Sequence, residues 1–199
     1  GKPLKLIEQP LREEIPIYLA AVGLKNVELT AEIADGWLPF MYSPAKGEDI
    51  YKNSLESGFS KSGVIEKKEK FEIVTTVFGR VCEENEVDEY LYPARNIYTL
   101  YVGGMGAKSK NFYYNLFCEY GYEDIADELQ NLYLSGKKKE SEQLFPRELL
   151  DELTLVGTKK DIEQKLEKWK DSNITEISLS LPIDFETVKF IKELLWKFC

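Results

Sequence analysis

Two apolar runs flanking a helical pattern constrain this chain more than any other feature. Ile15–Ala21 reads IPIYLAA, almost unbroken in apolar residues, and a second run opens on Asp35-Gly36-Trp37 and continues to Met41. The first run is what a strand covered on both faces of a parallel sheet requires. Between the runs, Leu24, Val27, Ala31 and Ala34 recur at helical spacing, so the linking segment predicts an amphipathic helix. Strand, helix and strand make a right-handed βαβ unit. Such a unit places the Val22-Gly23 turn at the carboxyl end of a strand, where α/β folds bind ligands.

The remaining pattern extends that unit. Gly1–Glu14 is a polar connector with Pro3 and Pro10, and the second strand covers about Trp37–Tyr42 before Ser43-Pro44 and Gly47 break it. Glu48–Phe59 predicts a helix on Ile50, Leu55 and Phe59. Phe71–Val81 is rich in β-branched residues and predicts a strand, with Gly79 marking a bulge or a close backbone approach. From 83 to 152 the composition is helical. The expected helices are Val87–Leu100, interrupted or begun near Pro93, then Phe112–Tyr120, Glu123–Ser135 closed by Gly136, and Ser141–Leu150. Thr158 with Asp161 predicts a capped helix on Ile162, Leu166 and Trp169. Glu176–Leu181 predicts the last strand. Asp184 then caps a final helix striped by Phe185, Val188, Ile191, Leu195 and Phe198. Four strands alternating with helices imply an α/β fold with a parallel sheet. By this count the chain is either a small doubly wound sheet or about half of a (β/α)8 barrel, which normally needs ~250 residues.

Composition removes several kinds of chemistry. The 199 residues contain no histidine, which excludes Ser-His-Asp and Cys-His catalysis and every histidine-based metal site from within the chain. Cys82, Cys118 and Cys199 have no metal-ligand spacing, so no metal is expected. Their odd number and the absence of a signal-peptide pattern point to a reduced, cytoplasmic protein. A net charge of −9 argues against a nucleic-acid partner, and the clusters Lys67-Lys68-Lys70 and Lys137–Lys139 lie in polar stretches with acidic neighbours. No apolar run reaches the ~18 residues that suggest a membrane span.

Individual motifs carry less weight. Amides at the Gly23 turn can hold a phosphate at a helix start, yet glycine also serves any tight strand-to-helix turn. Asp35-Gly36 favours a structural turn, and Trp37 favours the core. Gly103-Gly104-Met105-Gly106-Ala107-Lys108-Ser109 lacks glycine at two positions that a phosphate-binding P-loop needs, Ala107 and Val102, so triphosphate hydrolysis is rejected. The loop remains a candidate lid or a helix-to-helix hinge. No acid-base pair stands out.

Taken together, these blocks resemble a known family. IPIYLAAVGLKNVELTAEIADGWLPFMYSP is similar to a segment of the bacterial luciferase-like monooxygenase superfamily. LYVGGMGAKSKNF, GYEDIADELQNLYLSGKK and LVGTKKDIEQKL look like later blocks of its coenzyme F420-dependent branch, in the same order from Gly1 to about Ser180. The resemblance implies a (β/α)8 barrel of the luciferase-like type, of which this chain carries the C-terminal half as one domain with a helical insertion over 83–152. It implies an oxidoreductase moving a hydride between F420, with FMN as the alternative cofactor, and a small organic substrate. A non-catalytic binding or assembly module is the remaining alternative. Ala20, Ala21, Val22 and Gly23 match the turn that approaches the cofactor's phosphate-bearing tail. Pro39, Phe40 and Met41 match a strand end facing the substrate pocket, and Met105 and Lys108 lie in the loop near its mouth. Relatives often have histidine where Tyr113 stands. The start at Gly1-Lys2-Pro3, without methionine, adds to the expectation of a truncated chain. Four barrel strands leave two open edges, so a homo-oligomer is expected, and a well-behaved monomer in light scattering would count against the half-barrel.

Overall fold

The computed structural model describes residues 11–12, 14–107, 110–180 and 184–197, with side chains through 194. The chain starts with strand β1 (Tyr18–Leu19), helix α1 (Leu24–Ile33), strand β2 (Gly36–Trp37) and helix α2 (Gly47–Ser62). A short α3 (Lys67–Lys70) leads to the long strand β3 (Glu72–Val81). Five helices follow: α4 (Val87–Gly104), α5 (Phe112–Phe117), α6 (Glu123–Leu134), α7 (Lys138–Leu144) and α8 (Arg147–Glu152). Strand β4 (Leu155–Gly157), helix α9 (Lys159–Lys170), strand β5 (Glu176–Ser180) and helix α10 (Phe185–Lys197) complete the chain.

All strand pairs are parallel, and β3 is the centre of the sheet. Its backbone alternation separates its neighbours. The amides of Glu72 and Cys82 donate toward Asp35 O and Gly157 O, which places β2 and β4 along one edge. The amides of Ile73 and Val81 turn the other way, to Thr175 Oγ1 just before β5 and to Thr187 Oγ1 in the first turn of α10. The order β1-β2-β3-β5 is therefore a four-stranded parallel path, with β4 continuing one edge of β3.

Along β3 the odd-numbered residues Ile73, Thr75, Val77 and Gly79 are buried, and the even-numbered ones are only half-buried. Phe71, in the same alternation, meets Phe59 of α2 edge-on at 5.1 Å, so the odd face is the helix-covered one. Register places Tyr18, Gly36, Glu72 and Val74 on the even face, together with Glu176, Ser178 and Ser180. That face is mainly polar.

Helices α1 and α2 pack tightly because Gly58 has no side chain. A Cβ there would run into Glu28 O and come within 2.6 Å of Ala31 Cβ. Gly36 is required for a related reason, since a Cβ would collide with the Tyr18 ring and lie 2.8 Å from Glu72 O. Asp35 holds its turn by accepting from the Ile17 amide at 2.7 Å while donating to Ile17 O at 2.8 Å. The turn is structural, and Trp37 lies fully in the core.

Several elements depart from the sequence expectation. The strand predicted over Ile15–Ala21 pairs only at Tyr18–Leu19, and Ile15 and Ile17 are 76% and 60% exposed. Apolar patterning reports what a residue prefers, whereas β1 has one neighbour among the described residues. The second strand stops at Trp37, because the chain turns away through Leu38–Met41. Pro93 does not interrupt α4; its ring lies on the exposed side. The helix predicted over Ser141–Leu150 is divided by Pro146, which restricts Phe145 to an extended conformation (φ −67°, ψ 122°). Strand β4 was not expected, since three residues between helices carry no period. In α10 the buried stripe is Thr187, Ile191 and Leu194, while Phe185 is 79% and Val188 39% exposed. The side chains of Leu195 and Phe198 lie outside the described residues.

The cap of α9 matches its pattern. The Asp161 amide donates to Thr158 Oγ1 at 3.3 Å, and Asp161 Oδ2 accepts from the Thr158 amide at 2.9 Å and from its hydroxyl at 2.7 Å. The Thr158 hydroxyl and amide hold the Asp161 carboxyl below its ordinary value of 3.8. Stability linked to this carboxylate is complete above that value and fades as the pH falls through the lower folded one. Thr158→Ala should cost about 1 kcal/mol in urea melts at neutral pH. The difference from the parent chain should shrink toward pH 3.

Candidate functional site

A groove of about 920 Å³ opens where β1 hands over to α1. Val22, Gly23, Leu24, Lys25 and Asn26 form one wall, Asp49, Ile50 and Tyr51 of α2 a second, and Phe112, Asn115, Leu116, Cys118 and Glu119 the third. The position is the carboxyl end of a parallel strand, as the βαβ argument requires.

Gly23 is extended (φ −67°, ψ 135°), and its carbonyl accepts from the amides of Asn26 at 2.9 Å and Val27 at 3.0 Å. No side chain caps α1, and the amides of Leu24 and Lys25 have no acceptor among the described residues. The first turn of α1 carries no acidic residue, unlike the first turns of α2, α4 and α6. Free amides and the positive end of the helix dipole favour an anion here. Space is shaped by Phe112, whose ring lies 2.8 Å from where a Gly23 Cβ would stand. Any larger residue at 23 would push into that ring.

Phe112 is held there by Asn111, which is 1% exposed. The Asn111 side chain donates to Tyr101 O at 3.0 Å and Val102 O at 2.8 Å, tying α5 to the end of α4. Its Oδ1 accepts from the amides of Tyr113 at 2.9 Å and Tyr114 at 3.2 Å, which caps α5. Asparagine before an apolar run is a helix-start signal, so this anchor was readable in the sequence. The spatial meeting of Phe112 with Gly23 was not.

Of the residues matched to a cofactor-binding turn, Val22 and Gly23 line the groove. Ala21 is buried, its carbonyl accepting from Trp37 Nε1 at 2.9 Å, and Ala20 is exposed beside the turn. The residues matched to a substrate pocket lie elsewhere. Pro39 is buried, and its carbonyl accepts from Thr75 Oγ1 at 3.3 Å. Phe40 packs among the rings of Tyr98, Tyr101 and Tyr113 at 5.6, 4.7 and 6.2 Å. Met41 is 1% exposed, with φ 58°. A non-glycine residue in that region stores strain. Tyr120 locks it, donating to Met41 O at 2.6 Å and accepting from the Ser43 amide at 3.0 Å. Met105, half-exposed, follows α4 outside the groove wall. Lys108 lies outside the described residues. Asp49, Tyr51, Phe112 and Glu119 are groove residues that sequence reasoning missed, because each belongs to a helix that comes near Gly23 only through tertiary packing.

Burial pushes the Tyr113 phenol up to about 12, with Tyr101 close by adding to the effect. It is therefore a neutral donor at ordinary pH. Among the described residues no group of His, Cys, Asp and Glu could hold a metal ion, and no helix is long and apolar enough to cross a membrane.

A parallel α/β sheet with a groove at a strand's carboxyl end defines the class of this fold. Residues 2–176 match the luciferase-like monooxygenase family, and the chain belongs to that family. It is 38% identical over 175 residues to a Mycobacterium tuberculosis protein named provisionally as a coenzyme F420-dependent oxidoreductase, covering 88% of this chain and 50% of that protein. It is 22% identical over 178 residues to 5,10-methylenetetrahydromethanopterin reductase of Archaeoglobus fulgidus, covering 89% of this chain and 52% of the relative. Among solved structures, it resembles the coenzyme F420-dependent tetrahydromethanopterin reductase of Methanopyrus kandleri with a TM-score of 0.64 at 18% identity, over 91% of this chain and 49% of that one. An F420-dependent secondary alcohol dehydrogenase bound to an F420-acetone adduct gives 0.61 at 15% identity, over 92% and 48%. These likenesses show a parallel α/β fold similar to that of F420-dependent TIM-barrel enzymes. The chain spans about half the length of the curated relatives it matches.

Proposed function

We propose that the chain forms the part of an F420-dependent oxidoreductase that grips the cofactor's anionic tail. The observation that carries this reading is the groove at Gly23, in a family member whose relatives are named for F420. The residues fit such a group. The Leu24 and Lys25 amides and the acid-free first turn of α1 suit a phosphate, and the Phe112 and Leu116 side chains supply apolar contact.

When bound, F420 supplies the hydride chemistry, exchanging a hydride with an organic substrate. This chain's own residues hold the tail and shape the cleft. Gly23 leaves room beside Phe112, Asn111 fixes Phe112, and Tyr120 fixes the turn at Met41 that leads into α2. Pro39, Phe40, Met41, Met105 and Lys108 remain proposed substrate-side residues. The open outer edges of β1 and β5, with Ile15, Ile17, Phe185 and Val188 exposed near them, favour self-association of the chain.

The test is fluorescence titration of the chain with F420 and, separately, with FMN. Saturable binding of F420 in preference to FMN is expected. Preference for FMN would move the assignment to a flavin-dependent monooxygenase, and no binding of either would remove the cofactor role.

A further inference from the structure

Away from the groove, helices α4 and α7 flank a second pocket of about 250 Å³. Tyr92 and Arg95 line it from α4, and Lys139, Glu142 and Gln143 line it from α7. The i, i+3 and i, i+4 spacings put these side chains on common helix faces. Four of the five carry hydrogen-bond donors, and two of those are cations. None of Tyr92, Arg95, Lys139 and Gln143 makes a side-chain hydrogen bond or ion pair within the described residues. Glu142, 7% exposed, is held by Asn96, whose Nδ2 donates to its Oε1 at 2.8 Å.

Arg95 is the unusual member. The residue is half-buried, and its Nε is buried with no hydrogen-bond partner among the described residues. Arg80, whose Nε is likewise unpartnered, still pairs through Nη1 with Asp184 at 2.9 Å, and Arg147 pairs with Asp151 at 2.9 Å. In a chain of net charge −9, carboxylates for such a pair are plentiful. A half-desolvated guanidinium that lacks one is costly, and an orphaned buried donor calls for water or an ion from outside the chain. With Glu142 counted against Arg95 and Lys139, the pocket keeps one net positive charge, which water does not balance. We propose that Arg95 and Lys139 form a binding site for a phosphate-type oxyanion, separate from the groove at Gly23. The two places share no lining residue.

The donor set selects the ligand. Arginine presents a planar fork of donors and lysine a movable point charge, which together suit an oxyanion with several acceptor oxygens. The Gln143 amide and the Tyr92 hydroxyl add two neutral donors. The Glu142 carboxylate only accepts, so it repels a fully ionised group on its own side and favours a P–OH or a neighbouring hydroxyl there. The ligand is therefore hydrogen phosphate, or a small phosphate monoester that carries a free hydroxyl. The Asn96–Glu142 hydrogen bond ties α4 to α7 and so fixes the width of the pocket.

The test follows the Nε–H resonance of Arg95 by NMR of the 199-residue chain, identified by its loss in Arg95→Lys. Ionic strength is held constant with chloride, so that screening alone moves nothing. The reporter belongs to the pocket itself, so the reading stands apart from any anion held at Gly23. Inorganic phosphate is expected to shift the signal to saturation, with a dissociation constant of about 1 mM. Lys139→Ala, at an exposed position, should weaken binding about tenfold. Glu142→Gln should tighten it about threefold by removing the opposing charge. Glycerol 3-phosphate bound at least as tightly as phosphate would identify an ester as the ligand, and binding of phosphate alone would identify the free ion; both uphold the site. A shift without saturation, or an affinity that Lys139→Ala leaves unchanged, would overturn it. So would weaker binding in Glu142→Gln, which would mean that Glu142 and Arg95 act as an internal pair. If Glu142→Gln fails to fold, the parent chain and Lys139→Ala still decide.

Discussion

Trp37→Ala is expected to lower the unfolding free energy by about 4 kcal/mol, measured by urea denaturation followed through circular dichroism. Trp37 is fully buried at the end of β2 and touches Tyr51 at 4.8 Å and Tyr42 at 6.1 Å, both edge-on. Truncation removes an indole that fills the space between sheet and helices, and surrounding rings cannot collapse into it without losing their own contacts. It also strands Ala21 O, which accepts from Trp37 Nε1 at 2.9 Å. Domains of this size are stable by roughly 5–15 kcal/mol, so the loss is a large share of the total. Trp37→Phe, which keeps most of the volume and loses the donor, should cost clearly less. Equal losses for the two variants would mean that the hydrogen bond dominates over the packing.

A glycine within α2 gives the second large effect. Gly58→Ala is expected to destabilise by about 2 kcal/mol, although alanine is the better helix former. Propensity alone favours the substitution by roughly 0.5–1 kcal/mol. Against it, the added methyl meets the carbonyl of Glu28 and stands 2.6 Å from Ala31 Cβ, so α1 must move away from α2. Overpacking of this kind costs about 1–3 kcal/mol, and more where backbone has to shift. The movement would carry Lys25 and Asn26 with it, because they sit on the helix that forms one groove wall. F420 affinity should therefore fall together with the thermal midpoint. A midpoint that rises would show that the two helices separate easily and that Gly58 is not the contact that sets their distance.

Legibility from sequence differed between local and long-range features. The α1 helix, the long β-branched strand β3, the Thr158–Asp161 cap and the Asp184 cap were all readable, because each depends on residues within four positions of one another. Asp184 Oδ1 accepts from the Thr187 amide at 2.9 Å, as a capping residue should. Strand lengths were less readable. Ile15 and Ile17 belong to a run as apolar as any buried strand, yet among the described residues β1 has one neighbour and leaves them exposed. Strand β4 exists only because Gly79–Val81 offer it a free edge, and three residues carry no period of their own.

The groove followed the same division. Gly23 was singled out from the chain alone, since a glycine between an apolar run and a helical pattern marks a turn at a strand's carboxyl end. Nothing in the local sequence of Tyr51, Asp49, Phe112 or Glu119 connects them with that turn. They arrive there through the close approach of α1 to α2 over Gly58 and through Asn111, which ties the start of α5 to the end of α4. Residue order by itself determined the parallel α/β pattern and the place of the Gly23 turn at a strand's carboxyl end, because these follow from local periodicity. Tertiary structure decided which side chains complete the groove. That outcome depends on contacts between residues tens of positions apart, and local pattern does not encode it.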